Sequence, residues 1–205
     1  MAVITISRQF GAGGRTLGKM LAEKLGYVFA DEDIIQKIAR EAKVSADWVR
    51  MVEKEGGTKL SRVISGMVSQ RWIERILNTS EDKGYIDEQL YLDYLVLFIA
   101  EIADEGNAII LGRGSQYILR DHPDAYHILL INNYESRIRF MMERYNVTDK
   151  KAAAIIANEE KRRMNLYRKI GKKDYDDPSN YHIVFNMAHF TPEAVIEILT
   201  NILNS

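Results

Sequence analysis

Apolar and polar positions along the chain fall into two alternating patterns. Short β-branched or wholly apolar runs at 3–6, 27–30, 108–111, 126–131 and 182–186 predict five strands. Between them, apolar residues recur at helical spacing. Leu17, Met20, Leu21 and Leu25 predict a helix that opens at Arg15 and closes at Gly26. Asp31, Glu32 and Asp33 stand where they can cap a helix striped by Ile34, Ile35, Ile38 and Ala39, and Ser45 caps the next. Gly56-Gly57 breaks the pattern, and from 59 to 104 two more helices follow, interrupted near 78–84 and with no strand between them. Further helices are predicted at 115–119, at 134–145, from Asp149 behind a Thr148 cap, and from Pro192 behind Thr191.

Strands that alternate with helices and return by crossovers define an α/β domain with a parallel sheet. The wholly apolar run Ala108-Ile109-Ile110-Leu111 has the composition of a strand buried on both faces. The long strandless stretch reads as a helical insertion, and 205 residues suffice for one domain carrying it.

Composition narrows the function classes. The net charge of −1 gives no global reason to expect a nucleic acid polymer or a membrane surface, so a basic site has to be local. The chain has no cysteine, which removes thiol catalysis and Cys-based zinc sites and makes the cytoplasm the default expectation. The N-terminal apolar run is too short for the core of a signal peptide and leads directly into a glycine loop. The four histidines, His122, His127, His182 and His189, show no metal-ligand spacing.

That loop, Gly11-Ala12-Gly13-Gly14, joins the first strand to the first helix. Residues without a Cβ let backbone N–H groups converge on an anion, and the helix behind them adds the positive end of its dipole. Phosphate is the expected guest. The standard pattern GxxxxGK[ST] is nevertheless not met: aligned on Gly13, Arg8 stands at the first glycine and Gly14 at the lysine. A dinucleotide-binding G-x-G-x-x-G pattern is the weaker reading, because Thr16 occupies the third glycine position.

In an open parallel sheet, ligands lie beyond the carboxyl ends of the strands. This gathers Ser7 to Thr16, Asp31 and Asp33, Gly112-Arg113, Asn132 and Asn186 in one crevice. A backbone anion cradle with arginines, hydroxyls and acids is suited to phosphoryl transfer, which asks the protein for positioning and charge neutralisation. Each part also has a plainer role. Arg113 can pair with a neighbouring carboxylate, Arg15 can be a solvated first-turn residue, and Glu159 to Arg163 can be a charged helix face.

Four stretches, ISRQFGAGGRTLGKMLAEKLG, GYVFADEDIIQKIA, IILGRGSQYILRDHPDAYHILL and DPSNYHIVFNMAHFTPEAVIEIL, together resemble the cytidylate kinase-like proteins, relatives of the P-loop nucleoside monophosphate kinases. The resemblance implies a three-layer α/β/α P-loop fold with a five-stranded parallel sheet, and a helical insertion at 43–104 that binds the acceptor. It also implies a lid at 146–175, ATP as phosphate donor and Mg2+. By position, the phosphate cradle falls on Arg8, Gly11, Ala12, Gly13, Gly14, Arg15 and Thr16, with the Thr16 hydroxyl toward the metal. Asp31 and Arg113 face the acceptor, and Arg163, supported by Arg137, serves the transferring group. The acceptor is a nucleotide or another small phosphorylated or hydroxylated metabolite, and a homodimer is compatible with the insertion. Three departures stand out: Gly14 replaces the lysine, Gly114 replaces an aspartate after the arginine, and of the acceptor-recognition stretch only Asp31 is kept. Arg15 is the first candidate to supply the lysine's charge and Arg8 the second. The reading that competes with a kinase is a nucleotide-binding module without catalysis.

Overall fold

The computed structural model describes residues 2–31, 88–170 and 174–203. The chain divides into two units, Met1–Asp31 with Gly106–Ser205, and Glu32–Glu105. In the first unit, β1 (Val3–Arg8), β2 (Val28–Ala30), β3 (Ala108–Leu111), β4 (Ala125–Ile131) and β5 (Ile183–Asn186) form one sheet in the order β2-β3-β1-β4-β5. All four pairings are parallel. Strand β1 is central, with Val3 in register with Ala108 on one side and Ala125 on the other.

The alternation along β1 assigns its two faces. Ile4 and Ile6 point into a core shared with Ile109, Leu111, Ile128 and Leu130, against which α1 (Gly14–Leu25) packs Leu17 and Leu21. The last helix, α6 (Pro192–Leu203), adds Val195, Ile196 and Leu199 to the same core. Helix α1 ends at Gly26, whose φ of 68° lets its N–H turn back to the Ala22 carbonyl.

The opposite face is polar at depth. Thr5, Ser7, His127, Ser115 and Gln116 are buried there, the last two in the short helix α3 (Ser115–Ile118). Tyr181 Oη accepts from Gln116 Nε2 at 3.2 Å, and Ser7 Oγ lies 3.2 Å from Tyr167 Oη. Tyr167 belongs to α5 (Asp149–Lys169), which follows α4 (Tyr134–Tyr145); Ile138 and Met141 of α4 pack with Ala152 and Ile156 of α5.

Most expected elements are found, with shifts of a residue or two. Strand β1 runs on through Ser7 and Arg8, because both keep ladder partners in Leu129 and Leu130. The α5 cap is as expected, with Thr148 Oγ1 accepting from Lys151 N at 3.4 Å, and Asn133 caps α4 from Ser136 N at 2.8 Å. Of the second unit, α2 (Glu88–Glu105) is described, with Leu95 and Ile99 buried along it. It falls within the second of the two helices expected between 59 and 104. The caps at Asp33 and Ser45, the Gly56-Gly57 break and the rest of the insertion lie outside the described residues. Among the described residues, no helix is long and apolar enough to cross a membrane.

His127 sits in the buried polar layer. Its Nδ1 lies 2.8 Å from Thr5 Oγ1, its ring stacks on His182 with centroids 4.9 Å apart, and Nε2 has no partner among the described residues. Burial, reinforced by His182, lowers its pKa to about 4. The folded imidazole is therefore neutral at pH values where the unfolded one, with a pKa of roughly 6.5, takes up a proton. Between those two values the unfolded state binds more protons, so stability falls as pH falls. We expect the melting temperature to drop as pH is lowered from about 6.5 to about 4, and His127→Gln to flatten that decline; equal slopes in both proteins would contradict the assignment.

Candidate active site

The glycine loop follows the central strand, at the carboxyl end of the sheet where β1 and β3 lie side by side, the end at which open parallel sheets bind ligands. It is tied down at its start: Gln9 N donates to the Leu130 carbonyl at 3.0 Å, and Gln9 Oε1 accepts from Asn132 N at 3.1 Å. Ala12 N then donates to the Gln9 carbonyl at 3.0 Å, closing the turn. Gly11 and Gly13 hold φ of 88° and 81°, in the region that side chains disfavour. The two need glycine to different degrees. A Cβ on Gly11 would stand 3.0 Å from Arg137 Cβ, whereas one on Gly13 would meet nothing within 4 Å.

Helix α1 begins without the usual devices. Its N-cap, Gly13, offers no side chain, its first turn holds no acid, and Arg15 places a cation there instead. Charge of that sign opposes the helix dipole. The first intrahelical bond runs from Leu17 N to the Gly13 carbonyl at 3.0 Å, so the amides of Gly14, Arg15 and Thr16 stand ahead of the ladder. An anion is what such an end is built to receive.

A carboxylate stands at the mouth of the loop. Glu160 Oε1, from α5, accepts from Phe10 N at 2.6 Å and from Arg137 Nη1 at 3.2 Å, while Glu160 Oε2 accepts from Arg163 Nη1 at 2.8 Å. Arg137 Nη1 also donates to the Phe10 carbonyl at 3.3 Å. Arg163 pairs in addition with Asp176 and lies over the rings of Tyr167 and Tyr175, its guanidinium carbon 5.5 and 5.2 Å from their centroids. Burial alone would lower the Arg163 pKa, but Tyr167, Asp176 and Glu160 together raise it, so the charge is fixed.

The remaining arginines differ in their engagement. Arg15 Nη2 pairs with Asp31 Oδ2 at 2.8 Å; the Arg15 side chain is 54% exposed and that of Asp31 only 7%. Arg8 runs the other way. Its Cγ lies 2.9 Å from where a Cβ on Gly14 would be, and its Nη1 lies 2.2 Å from a Cβ built on Gly112. Burial lowers its pKa; Tyr167 opposes this and Arg163 adds to it. Arg113 follows β3 with φ of 59°, between Gly112 and Gly114, both at 72°. Burial, then Arg8 and Arg162, lower the Arg113 pKa to about 10.

Arg8 and Arg137 thus lie against the loop, Arg163 reaches it through Glu160, Arg113 neighbours Arg8, and Arg15 turns toward Asp31. The departure at Gly114 goes with its backbone: its φ of 72° favours glycine, and a Cβ there would also press on Ile170 Cδ1, 2.6 Å away. Thr16 lies in the first turn of α1. Among the described residues, no group of three or more histidines and acids is arranged to hold a metal. Asn186 Oδ1 accepts from Ala188 N at 3.1 Å and serves a turn. Asp176 and Tyr167 are not singled out by sequence reasoning, while Gln9 enters only as one of the residues after the first strand and Glu160 only within the charged run of α5, whose helical spacing does not say which face meets the loop.

The chain matches the cytidylate kinase-like family over residues 3–189. It belongs to that family. Membership, with the sheet order and the glycine loop, places it among kinase-like proteins with a nucleotide-binding P-loop fold. No curated protein matches the chain. Among solved structures, it is similar to an uncharacterised protein from Eubacterium ventriosum ATCC 27560, with 17% identity, 100% of this chain and 99% of that one covered, and a TM-score of 0.70. Looser likenesses include a shikimate kinase from Bacteroides thetaiotaomicron (15% identity, 100% and 99% covered, TM-score 0.49) and a gluconokinase from Sinorhizobium meliloti 1021 (13%, 99% and 95%, 0.49). At such identities the likeness is one of fold.

The two loop glycines separate strain from crowding. Gly13→Ala is expected to cost about 1–2 kcal/mol, the penalty of a left-handed residue. Gly11→Ala should cost more, because the new methyl also presses on α4. Urea unfolding of both variants checks the order, and equal losses would mean that α4 yields freely.

Proposed function

We propose that this cytidylate kinase-like protein transfers the terminal phosphoryl group of ATP to a small-molecule acceptor, with a nucleoside monophosphate the first to test. The observation that carries the reading is the start of α1: it has no cap and no acid in its first turn, and Arg8 and Arg137 lie against the loop that precedes it, with Arg163 joined to it through Glu160 and Arg113 beside Arg8. Such an arrangement is poor for an isolated helix and good for a polyphosphate.

In this reading the amides of residues 11–16 cradle the donor's phosphates. An acceptor oxygen attacks the terminal phosphorus as the bond to the bridging oxygen of the departing diphosphate breaks. An acceptor phosphate is already ionised and needs no base. Negative charge on the transferring group is met by Arg163, whose position Glu160 and Asp176 fix, and Arg137 braces the loop from α4. Arg113 meets the acceptor, carried by the insertion at 43–104, and 146–175 acts as the lid. Magnesium would accompany the nucleotide: the Thr16 hydroxyl would be this chain's ligand to it, and the ion would neutralise charge on the phosphates.

Incubation with ATP, magnesium and a panel of nucleoside monophosphates and small hydroxylated metabolites, followed by phosphorus NMR, tests the proposal. Transfer to at least one acceptor is expected. Tight nucleotide binding with no transfer across the panel would instead make the protein a nucleotide-binding module. Arg113→Ala should raise the acceptor KM about tenfold or more, the loss of one charge-assisted contact, and leave the ATP KM nearly unchanged. A change confined to ATP would reverse the two substrates.

A further inference from the structure

Gly14 stands where a P-loop carries its lysine, yet the space beside it is filled. The Arg8 side chain passes over Gly14, its Cγ, Cβ and Cδ lying 2.9, 3.2 and 3.3 Å from the position of a Cβ there. A lysine at 14 would have to displace it. At its far end, Arg8 Nη1 lies 2.2 Å from where Gly112 would carry a Cβ. One side chain thus crowds two glycine positions nearly a hundred residues apart in sequence, Gly14 opening α1 and Gly112 following β3, where a φ of 72° favours glycine as well.

Two further facts concern where its charge goes. Arg15, the other cation of the loop, is half-exposed and paired with Asp31 at 2.8 Å. The Arg8 side chain is half-buried and makes no hydrogen bond or ion pair to the described residues, while its surroundings include the like charges of Arg113 and Arg163. A half-buried guanidinium whose donors meet no protein acceptor, set beside like charges, is suited to an anion. Planar N–H pairs suit phosphate oxygens in the bidentate mode that lysine lacks.

We infer that Arg8 is the phosphate-binding cation of this glycine loop: the charge that a P-loop places at the lysine enters here from the loop's other end, and Gly14 and Gly112 are glycine to admit it. The ligand class is the oligophosphate of a nucleotide. The inference rests on the reading of the loop as a nucleotide site and adds which side chain neutralises the phosphates.

The test is binding by calorimetry, with inorganic tripolyphosphate, ATP and adenosine as probes. Arg8→Gln should weaken tripolyphosphate and ATP about ten- to hundredfold, the loss of a charge-assisted hydrogen-bonded pair, and leave adenosine within about twofold. Gly14→Lys alone should also weaken binding, because two side chains would compete for one space. The reciprocal exchange, R8G with G14K, should recover most of the lost affinity. A folded Arg8→Gln that holds both phosphates within twofold of the wild type overturns the inference, as does a double exchange no better than Arg8→Gln. Should Arg8→Gln not fold, modification of the wild-type protein by phenylglyoxal decides: tripolyphosphate must protect the Arg8 peptide, and an unprotected peptide overturns the assignment. Wild-type protein that binds both phosphates but transfers to no acceptor defeats the kinase reading and leaves Arg8 assigned. Transfer by the wild type with Arg8→Gln unimpaired does the reverse.

Discussion

One carboxylate joins the parts of this site. Glu160 meets the amide of Phe10, which leads into the glycine loop, and a guanidinium from each of α4 and α5, so one carboxylate fixes the entry to the loop, the helix beneath it and the helix that carries Arg163. Charge-assisted bonds of this kind are short and directional, and each partner satisfies a group that would otherwise be costly to bury. Arg137 shows the dependence: it contacts the Phe10 carbonyl and Glu160 together, and its backbone passes so near Gly11 that this position admits no side chain without movement. The curvature of the loop and the path of α4 are therefore one constraint.

The sheet supplies the frame for that constraint. Because β1 is central and pairs on both sides, its carboxyl end is held in register from Val3 to Arg8. The apolar face of the strand meets α1 and α6, while its other face carries Thr5 and Ser7 into a buried layer of hydroxyl, amide and imidazole groups. Ser7 reaches Tyr167, whose ring lies under Arg163, so the polar layer and the arginine cluster meet at one tyrosine.

The strands and most helices were legible because periodicity and end signals agreed. The apolar run at Ala108–Leu111 is the strand found, and Thr148 caps the helix that it precedes. The gathering of the residues after the parallel strands at one end of the sheet was legible from topology. The division of labour among the arginines was not. Arg15 is nearer the missing lysine in sequence, yet its charge faces Asp31. Arg8 ends a strand, and its relation to Gly14 and Gly112 is one of volume in three dimensions that no spacing rule records. Gly114 was another departure from the family pattern, and the approach of Ile170 to it is equally tertiary.

The crowding of Arg8, Arg113 and Arg163 also bears on the protein at rest. Burial and neighbouring guanidinium charge, Arg163 beside Arg8 and Arg8 with Arg162 beside Arg113, lower the two pKa values, so like charges repel one another there. A polyanion that enters relieves that repulsion in the folded state and has no comparable site in the unfolded chain, so by mass action it adds to stability in proportion to the logarithm of its concentration. Under the proposed function, the endurance of the fold would be coupled to the phosphate-bearing metabolites around it, and their depletion would leave a protein that is easier to unfold and degrade.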